Sequence, residues 1–250
     1  MTDAHKLTTD RDLIKIHAET LFVLTESGRI HSENKPDMSG GPRFYLAGWE
    51  SGNVFHIHRD VADVTAQALA TLASDEPPLF VSHGEPRYLD EYVELLAASE
   101  AQVGKGLNYV FPGEFTYDHP APLVMSGTPE GDRLVKEMTT NDSIPDGLKS
   151  IGFHTPADIW EPWCFALHDG EIASIGETVR MGSAGVEVGV DTPPELRGRG
   201  YGAAATAGWA LHPAIRDRVR FYGHARSNDS SRRVTERLGL RYIGASLRIA

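Results

Sequence analysis

Apolar and polar positions change period several times along this chain. Leu13, Ile14, Ile16, Leu21, Phe22, Val23 and Leu24 start at helical spacing and end as a continuous run. That predicts a helix passing into a strand, with a break at Glu26-Ser27-Gly28. Residues 34–42 are loop by composition. Residues 44–49 and 53–58 flank Glu50-Ser51-Gly52 and read as a hairpin. Asp60 opens a helix to about Ala73, closed by Asp75-Glu76-Pro77-Pro78. Tyr88, Leu89, Tyr92, Leu95 and Leu96 form one stripe of a second helix over about 87–98. A short strand is expected at 108–111, loop at 117–131, a short helix at 133–139 and loop again at 141–147.

The last third is more regular. Residues 161–167 form an apolar strand, His168-Asp169-Gly170-Glu171 a tight turn, and 172–180 the returning strand, because Asp-Gly between apolar runs is a hairpin signal. A third strand, Val186-Glu187-Val188-Gly189-Val190, leads through 191–196 into Arg197-Gly198-Arg199-Gly200-Tyr201-Gly202. The Ala-rich run from Ala203 to Leu211 favours helix. Strand, glycine loop and helix N-terminus together offer unpaired backbone N–H groups and the positive end of a helix dipole to an anion. Gly198, Gly200 and Gly202 allow close approach, and Arg197 and Arg199 add charge. This is a phosphate cradle in pattern.

A P-loop needs Lys-Ser/Thr after its last glycine, and here Ala203-Ala204 follow. A dinucleotide fold needs an acidic residue roughly 20 positions on and a further βαβ unit. That region is 216–222, and the sequence ends at Ala250. The third pattern is Arg197-x-x-Gly200-x-Gly202, then Phe221-Tyr222-Gly223-His224-Ala225, then Asn228-Asp229-Ser230-Ser231 running to Leu238-Gly239-Leu240. These motifs resemble the acyl-CoA pyrophosphate loop, following strand and Asn helix of the GNAT superfamily of N-acetyltransferases. The resemblance covers about 160–250.

It implies a mixed, mostly antiparallel α/β sheet flanked by helices and a GNAT-like domain over 104–250; upstream, the pattern itself reads as an additional N-terminal α/β region over 1–103 without a catalytic motif, either a divergent half of the same architecture or a lid over the acceptor site. The resemblance implies acetyl-CoA as acyl donor, with no metal. Cofactor contacts are implied for Val188, Gly189, Val190, Arg197, Gly198, Arg199, Gly200, Tyr201, Gly202, Asn228 and Ser231. Glu187 stands where the family often holds a catalytic Glu, and burial is expected to raise its pKa toward the operating pH. Glu177 is the second candidate base. Thr235 occupies the place where many members carry a Tyr acid, so the thiolate is left to water, Ser231 or nothing specific. The acceptor is expected to be a small-molecule or peptide amine, lined by residues within 109–158. A non-catalytic acyl-CoA sensor or scaffold is the other reading.

Composition adjusts this picture modestly. Net charge is −11 over 250 residues, yet from Arg197 onward 11 Arg face 3 acids. A basic end suits a phosphorylated cofactor and an acidic body a cationic substrate. The basic residues show no aromatic-interleaved pattern, which argues against nucleic acid. No run approaches the roughly 20 apolar residues of a membrane span, and residues 1–12 are too polar for a secretory signal. A cytoplasmic protein is expected, and a homodimer is compatible with the sequence. The single cysteine, Cys164, lies mid-strand and reads as a buried, inert thiol. His56 and His58 share a sheet face without a third ligand at sensible spacing, and read as structural.

Overall fold

The computed structural model describes residues 9–140 and 143–250. Residues 1–8 of the expected polar tail, and Asn141 and Asp142 of the expected 141–147 loop, lie outside the described residues.

The first helix, α1 (Asp10–Leu21), starts at a capping box, in which Thr9 and Asp12 each accept the other's backbone N–H at 3.2 Å. It runs directly into β1 (Phe22–Leu24), which pairs only with β2 (Ile30–Glu33). The hairpin β3 (Phe44–Trp49) and β4 (Gly52–Ile57) follows, then α2 (Asp63–Asp75) and α3 (Leu89–Leu95). Next come β5 (Val103–Val110), β6 (Leu123–Met125), α4 (Pro129–Thr140) and α5 (Asp146–Lys149). The meander is β7 (Trp163–His168), β8 (Glu171–Met181) and β9 (Gly185–Asp191). Asp169 and Gly170 both hold positive φ, as the two-residue β7–β8 turn requires. The crossover α6 (Tyr201–Ala210), β10 (Val219–Ala225), α7 (Asp229–Arg237) and β11 (Arg241–Ile249) complete the chain.

Nine strands form one sheet in the order β4-β3-β11-β5-β10-β9-β8-β7-β6. Only the β9–β10 step is parallel. The fold is therefore the expected mixed, mostly antiparallel sheet flanked by helices. The expected boundary at 103/104 falls at the first residue of β5, and strands from both sides of it share this sheet, with β3 paired to β11. The strand expected at 108–111 is an eight-residue β5 that pairs with both β10 and β11.

Alternation along the strands sets the two faces. On one, α2 and α3 cover Phe44, Leu46, Leu107 and Leu247, while α6 covers Val186, Val188 and Tyr222. On the other, α1 covers Tyr45, Ala47, Val110 and Phe221, and α4 and α5 cover Phe165 and Ile175. Helix α6 lies so close to the sheet that only glycine fits at two contacts. A Cβ at Gly208 would stand 2.3 Å from Cys164 Sγ, and one at Gly176 would stand 2.8 Å from the Ala205 carbonyl. No helix among the described residues is long and apolar enough to cross a membrane.

Candidate active site

The parallel step is where the sheet opens. Pairing between β9 and β10 runs from Gly185–Val219 to Val188–Tyr222 and stops there. Beyond it β9 continues with β8 as far as Asp191, and β10 continues with β5 as far as Ala225. The two strands part, leaving Gly189 and Val190 on one lip and Gly223 and His224 on the other.

On the α6 face the gap meets a cleft of about 290 Å³. Its wall is the turn from Arg197 to Gly202 on one side and one side of α7 with its cap on the other, with Asn228, Ser231, Arg233 and Arg237. Gly200 caps α6 at φ 95°, a left-handed value, and offers no side-chain acceptor to the helix. The first ladder bond runs from Ala204 N–H to the Gly200 carbonyl at 3.0 Å. The N–H groups of Tyr201, Gly202 and Ala203 precede it and have no helical carbonyl to meet. A Cβ at Gly200 would stand 2.6 Å from Arg237 Nη1 and 2.9 Å from His119 Nε2, and one at Gly202 would stand 3.1 Å from Thr192 Oγ1. The bare backbone is what keeps this cleft open, and its residues suit a phosphorylated ligand.

Most of the expected cofactor residues gather here. Val190, Arg197, Gly198, Gly200, Tyr201, Gly202, Asn228 and Ser231 line the cleft. Asn228 caps α7 through its Oδ1, which accepts the Ser231 N–H at 3.0 Å, so its amide N–H₂ is left for the cleft. Arg197 turns inward to the loop, donating Nε–H to the Thr192 carbonyl at 3.0 Å. Arg199 instead reaches toward His168, at 3.5 Å, and its side chain is not part of the cleft wall. Val188 is buried against α6, and Gly189 faces Val179. Arg233, Arg237 and His119 were not singled out from the sequence. The two arginines follow Asn228 on a helix whose cleft-facing side is fixed only once the fold is known.

Glu187 points the other way, toward α1, because it alternates with Val186 and Val188 on β9. There it lines a second cavity, of about 280 Å³, with His17, Tyr45, Asn108, Gly223, His224, Ser246 and Arg248. Its side chain is 12% exposed, and His17 Nε2–H donates to its Oε1 at 2.9 Å. A Cβ at Gly223 would stand 2.6 Å from the same Oε1. Burial pushes the Glu187 carboxyl up, but the His17 hydrogen bond and charge, with Arg180 and Arg248, together hold it below its ordinary value. This corrects the expectation of a raised carboxyl: the cations gathered around the side chain outweigh its burial.

The raised carboxyl is Glu177. It faces Gly189 across the β8–β9 ladder, takes the Trp160 N–H at 3.0 Å, and is pushed up to about 7 by burial, with Asp191 and Asp158 adding to the effect. Thr235, standing in for the usual Tyr, is buried and spends its hydroxyl on the Arg232 carbonyl at 2.8 Å. Tyr222, its phenol pushed up to about 12 by burial, stands beside Ser231. Cys164 is buried mid-strand and its thiol is pushed up to about 12 by burial, as an inert thiol should be. His56 Nδ1–H is engaged with the Gly28 carbonyl at 2.9 Å. Among the described residues no three His, Cys, Asp or Glu side chains come together in a way that could hold a metal.

No family model matches the chain, and no curated protein matches it. Among solved structures it is similar to a GNAT-family acetyltransferase of Novosphingobium aromaticivorans, at 25% identity over 59% of this chain and 66% of that one, with a TM-score of 0.42. A GNAT-family acetyltransferase of Colwellia psychrerythraea is 16% identical over 79% of this chain and 76% of its own, with a TM-score of 0.42. A GCN5-related N-acetyltransferase-like protein of Streptococcus suis is 14% identical over 84% of each, with a TM-score of 0.41. In its own features, the Arg197–Gly202 turn at the head of α6, the parallel β9–β10 step that parts at Val188, and the Asn228-capped helix, the chain resembles the GNAT superfamily.

Proposed function

We propose that the protein is an acyl-CoA-dependent N-acyltransferase that uses acetyl-CoA on a primary amine. The observation that carries this reading is the pairing of two cavities across one gap in the sheet. The cleft at the uncapped N-terminus of α6 suits a pyrophosphate, and the cavity around Glu187 opens at the same parted strands. The turn from Arg197 to Gly202 would hold the pyrophosphate through backbone N–H groups, and Arg237 and Arg233 would add charge. Asn228 and the backbone of residues 188–190 would hold the pantetheine arm.

When bound, acetyl-CoA supplies an activated thioester. The chain must supply a free amine, because an ammonium has no lone pair. The Glu187–His17 pair is the group we assign to that step. Glu187 is ionised at neutral pH and accepts the His17 Nε2–H at Oε1, so a proton leaving the amine goes to a free lone pair of the Glu187 carboxylate, which His17 holds in place. The acetyl group would then pass from sulfur to nitrogen, the nitrogen's remaining extra proton would go to the departing thiolate directly or through water, and the thiol would leave through the α6-face cleft. Glu177 is the rival base, with a carboxyl near 7 one strand away.

The second reading is a non-catalytic acyl-CoA sensor. It is favoured by the Thr235 hydroxyl, which is committed to its own helix and offers no acid to a leaving thiolate. Free-thiol release from acetyl-CoA over a panel of amines separates the two. Acceptor-dependent release is expected from an enzyme. Tight acetyl-CoA binding with no release above solvent on any amine would favour the sensor.

A further inference from the structure

We propose that the cavity on the α1 face takes a small primary amine that also carries an acidic group, an amino acid in chemical class. This rests on the acyltransferase reading above for what happens to the amine, but not for the binding itself.

The first ground is a set of buried polar atoms that meet no partner. Among the described residues His17 Nδ1, Tyr45 Oη, Asn108 Nδ2 and His224 Nε2 are all without one, and all four residues line this cavity. They come from α1, β3, β5 and β10, and each is at least nine-tenths buried, at 1%, 0%, 3% and 8% exposure. A buried polar group without a partner is a cost, so four on residues that line one space point to a polar ligand there.

The second ground is the arrangement of charge. Tyr45 and Arg248 are direct cross-strand partners in the β3–β11 register, so they share a face. Tyr45 O–H, Asn108 Nδ2–H and the Arg248 guanidinium are all donors, a set suited to an oxyanion. Arg248 is not spent on its neighbour. It gives one N–H to Glu33 at 2.6 Å, but Glu33 also takes Arg180 at 2.5 Å and has Lys35 at 3.4 Å. Lys35 is held more closely by Asp37, at 3.2 Å, so two guanidiniums share the Glu33 carboxylate, and Arg248 engages it through one nitrogen while lining the cavity. The Glu187 carboxylate supplies the opposite charge in the same cavity, beside the gap in the sheet. One cavity with a carboxylate toward the gap and a donor cluster at its outer wall fits a molecule with an ammonium and a carboxylate. Its volume, about 280 Å³, lies at the small end of ligand sites.

The third ground is how the space is kept. Gly106 and Gly223 form part of its floor, and a Cβ at Gly106 would stand 2.7 Å from Ser246 Oγ. Side chains at these positions would fill the cavity.

The test compares amino acids with their decarboxylated amines: alanine with ethylamine, serine with ethanolamine, phenylalanine with phenethylamine. Binding to the full chain is read by saturation-transfer NMR without acetyl-CoA, and free-thiol release is read separately with it. At least tenfold tighter binding of one or more amino acids than of their amines is expected, with the difference erased in Arg248→Gln. Tyr45→Phe removes a hydroxyl that has no partner in the protein, so Tm should hold while amino-acid affinity falls at least threefold. Amines that bind as well as the acids, binding of neither class, or wild-type amino-acid affinity in both folded variants would each overturn the proposal. Thiol release that prefers the plain amines would overturn it and leave the acyltransferase reading standing. Arg248-dependent amino-acid binding with no acetyl-CoA binding would do the reverse.

Discussion

His17 and Glu187 are 170 positions apart in sequence and 2.9 Å apart in the fold, where the imidazole Nε2–H meets the carboxylate. His17 is 1% exposed and packs at a tilt against Phe221, with ring centroids 4.7 Å apart, so its ring is held by α1 and β10 together. This contact ties the Glu187 carboxylate to α1 across the cavity.

Glu187→Gln keeps the size and reach of the side chain and removes the negative charge. If the pair takes the amine's proton, kcat/KM should fall by roughly 10²–10⁴-fold, the usual effect of losing a general base. Acetyl-CoA affinity should barely change, because Glu187 lies on the opposite face from the α6 cleft. His17→Ala should reduce the rate in the same direction but by less, since it removes the N–H that holds the carboxylate in place. The pH profile of kcat/KM for both variants checks this. Rates within threefold of wild type from pH 6 to 9 would move the role to Glu177.

Much of the α6-face cleft was legible in sequence because its signals are local. The glycines and arginines of 197–202, the Ala-rich α6 and the Asn228 cap each announce themselves within a few residues. The α1-face cavity was not legible. His17, Tyr45, Asn108 and Arg248 meet Glu187 only because β3 and β11 join the same sheet as β9 and β10, and no spacing rule links α1 to β9. Strand β5 was read short because Gly104 and Gly106 weaken its strand pattern, yet those positions border the cavity.

Glu177 gives stability a pH dependence of definite sign. Its carboxyl rises from an ordinary 4.5 to about 7 in the fold, so between these values the native state binds more proton than the unfolded chain. This contribution is fully present below about pH 4.5 and is lost as pH rises through about 7. The full window corresponds to on the order of 3 kcal/mol. Glu177→Gln should remove that slope, seen as Tm against pH between 4.5 and 7. An unchanged slope would mean that Glu177 is already ionised at the low end of the window.

The α6–sheet contact should tolerate no added volume. Gly208→Ala places a Cβ 2.3 Å from the buried Cys164 Sγ, so one element must shift. Overpacking of this kind costs about 1–3 kcal/mol. Denaturant unfolding should show that loss, and adding Cys164→Ala should restore part of it. A loss under about 0.5 kcal/mol would mean that helix and strand separate easily here.

The cradle at α6 is the centre of the account, and acetyl-CoA calorimetry on wild type and Gly200→Asp tests it most directly. The substitution puts a side chain into space now bounded by Arg237 and His119, and a negative charge beside the uncapped helix N-terminus. Wild type should bind, and the folded variant should bind at least tenfold more weakly, about 1.4 kcal/mol. Equal affinity in the two proteins, or no binding by wild type, would contradict the assignment of this loop to an acyl-CoA pyrophosphate.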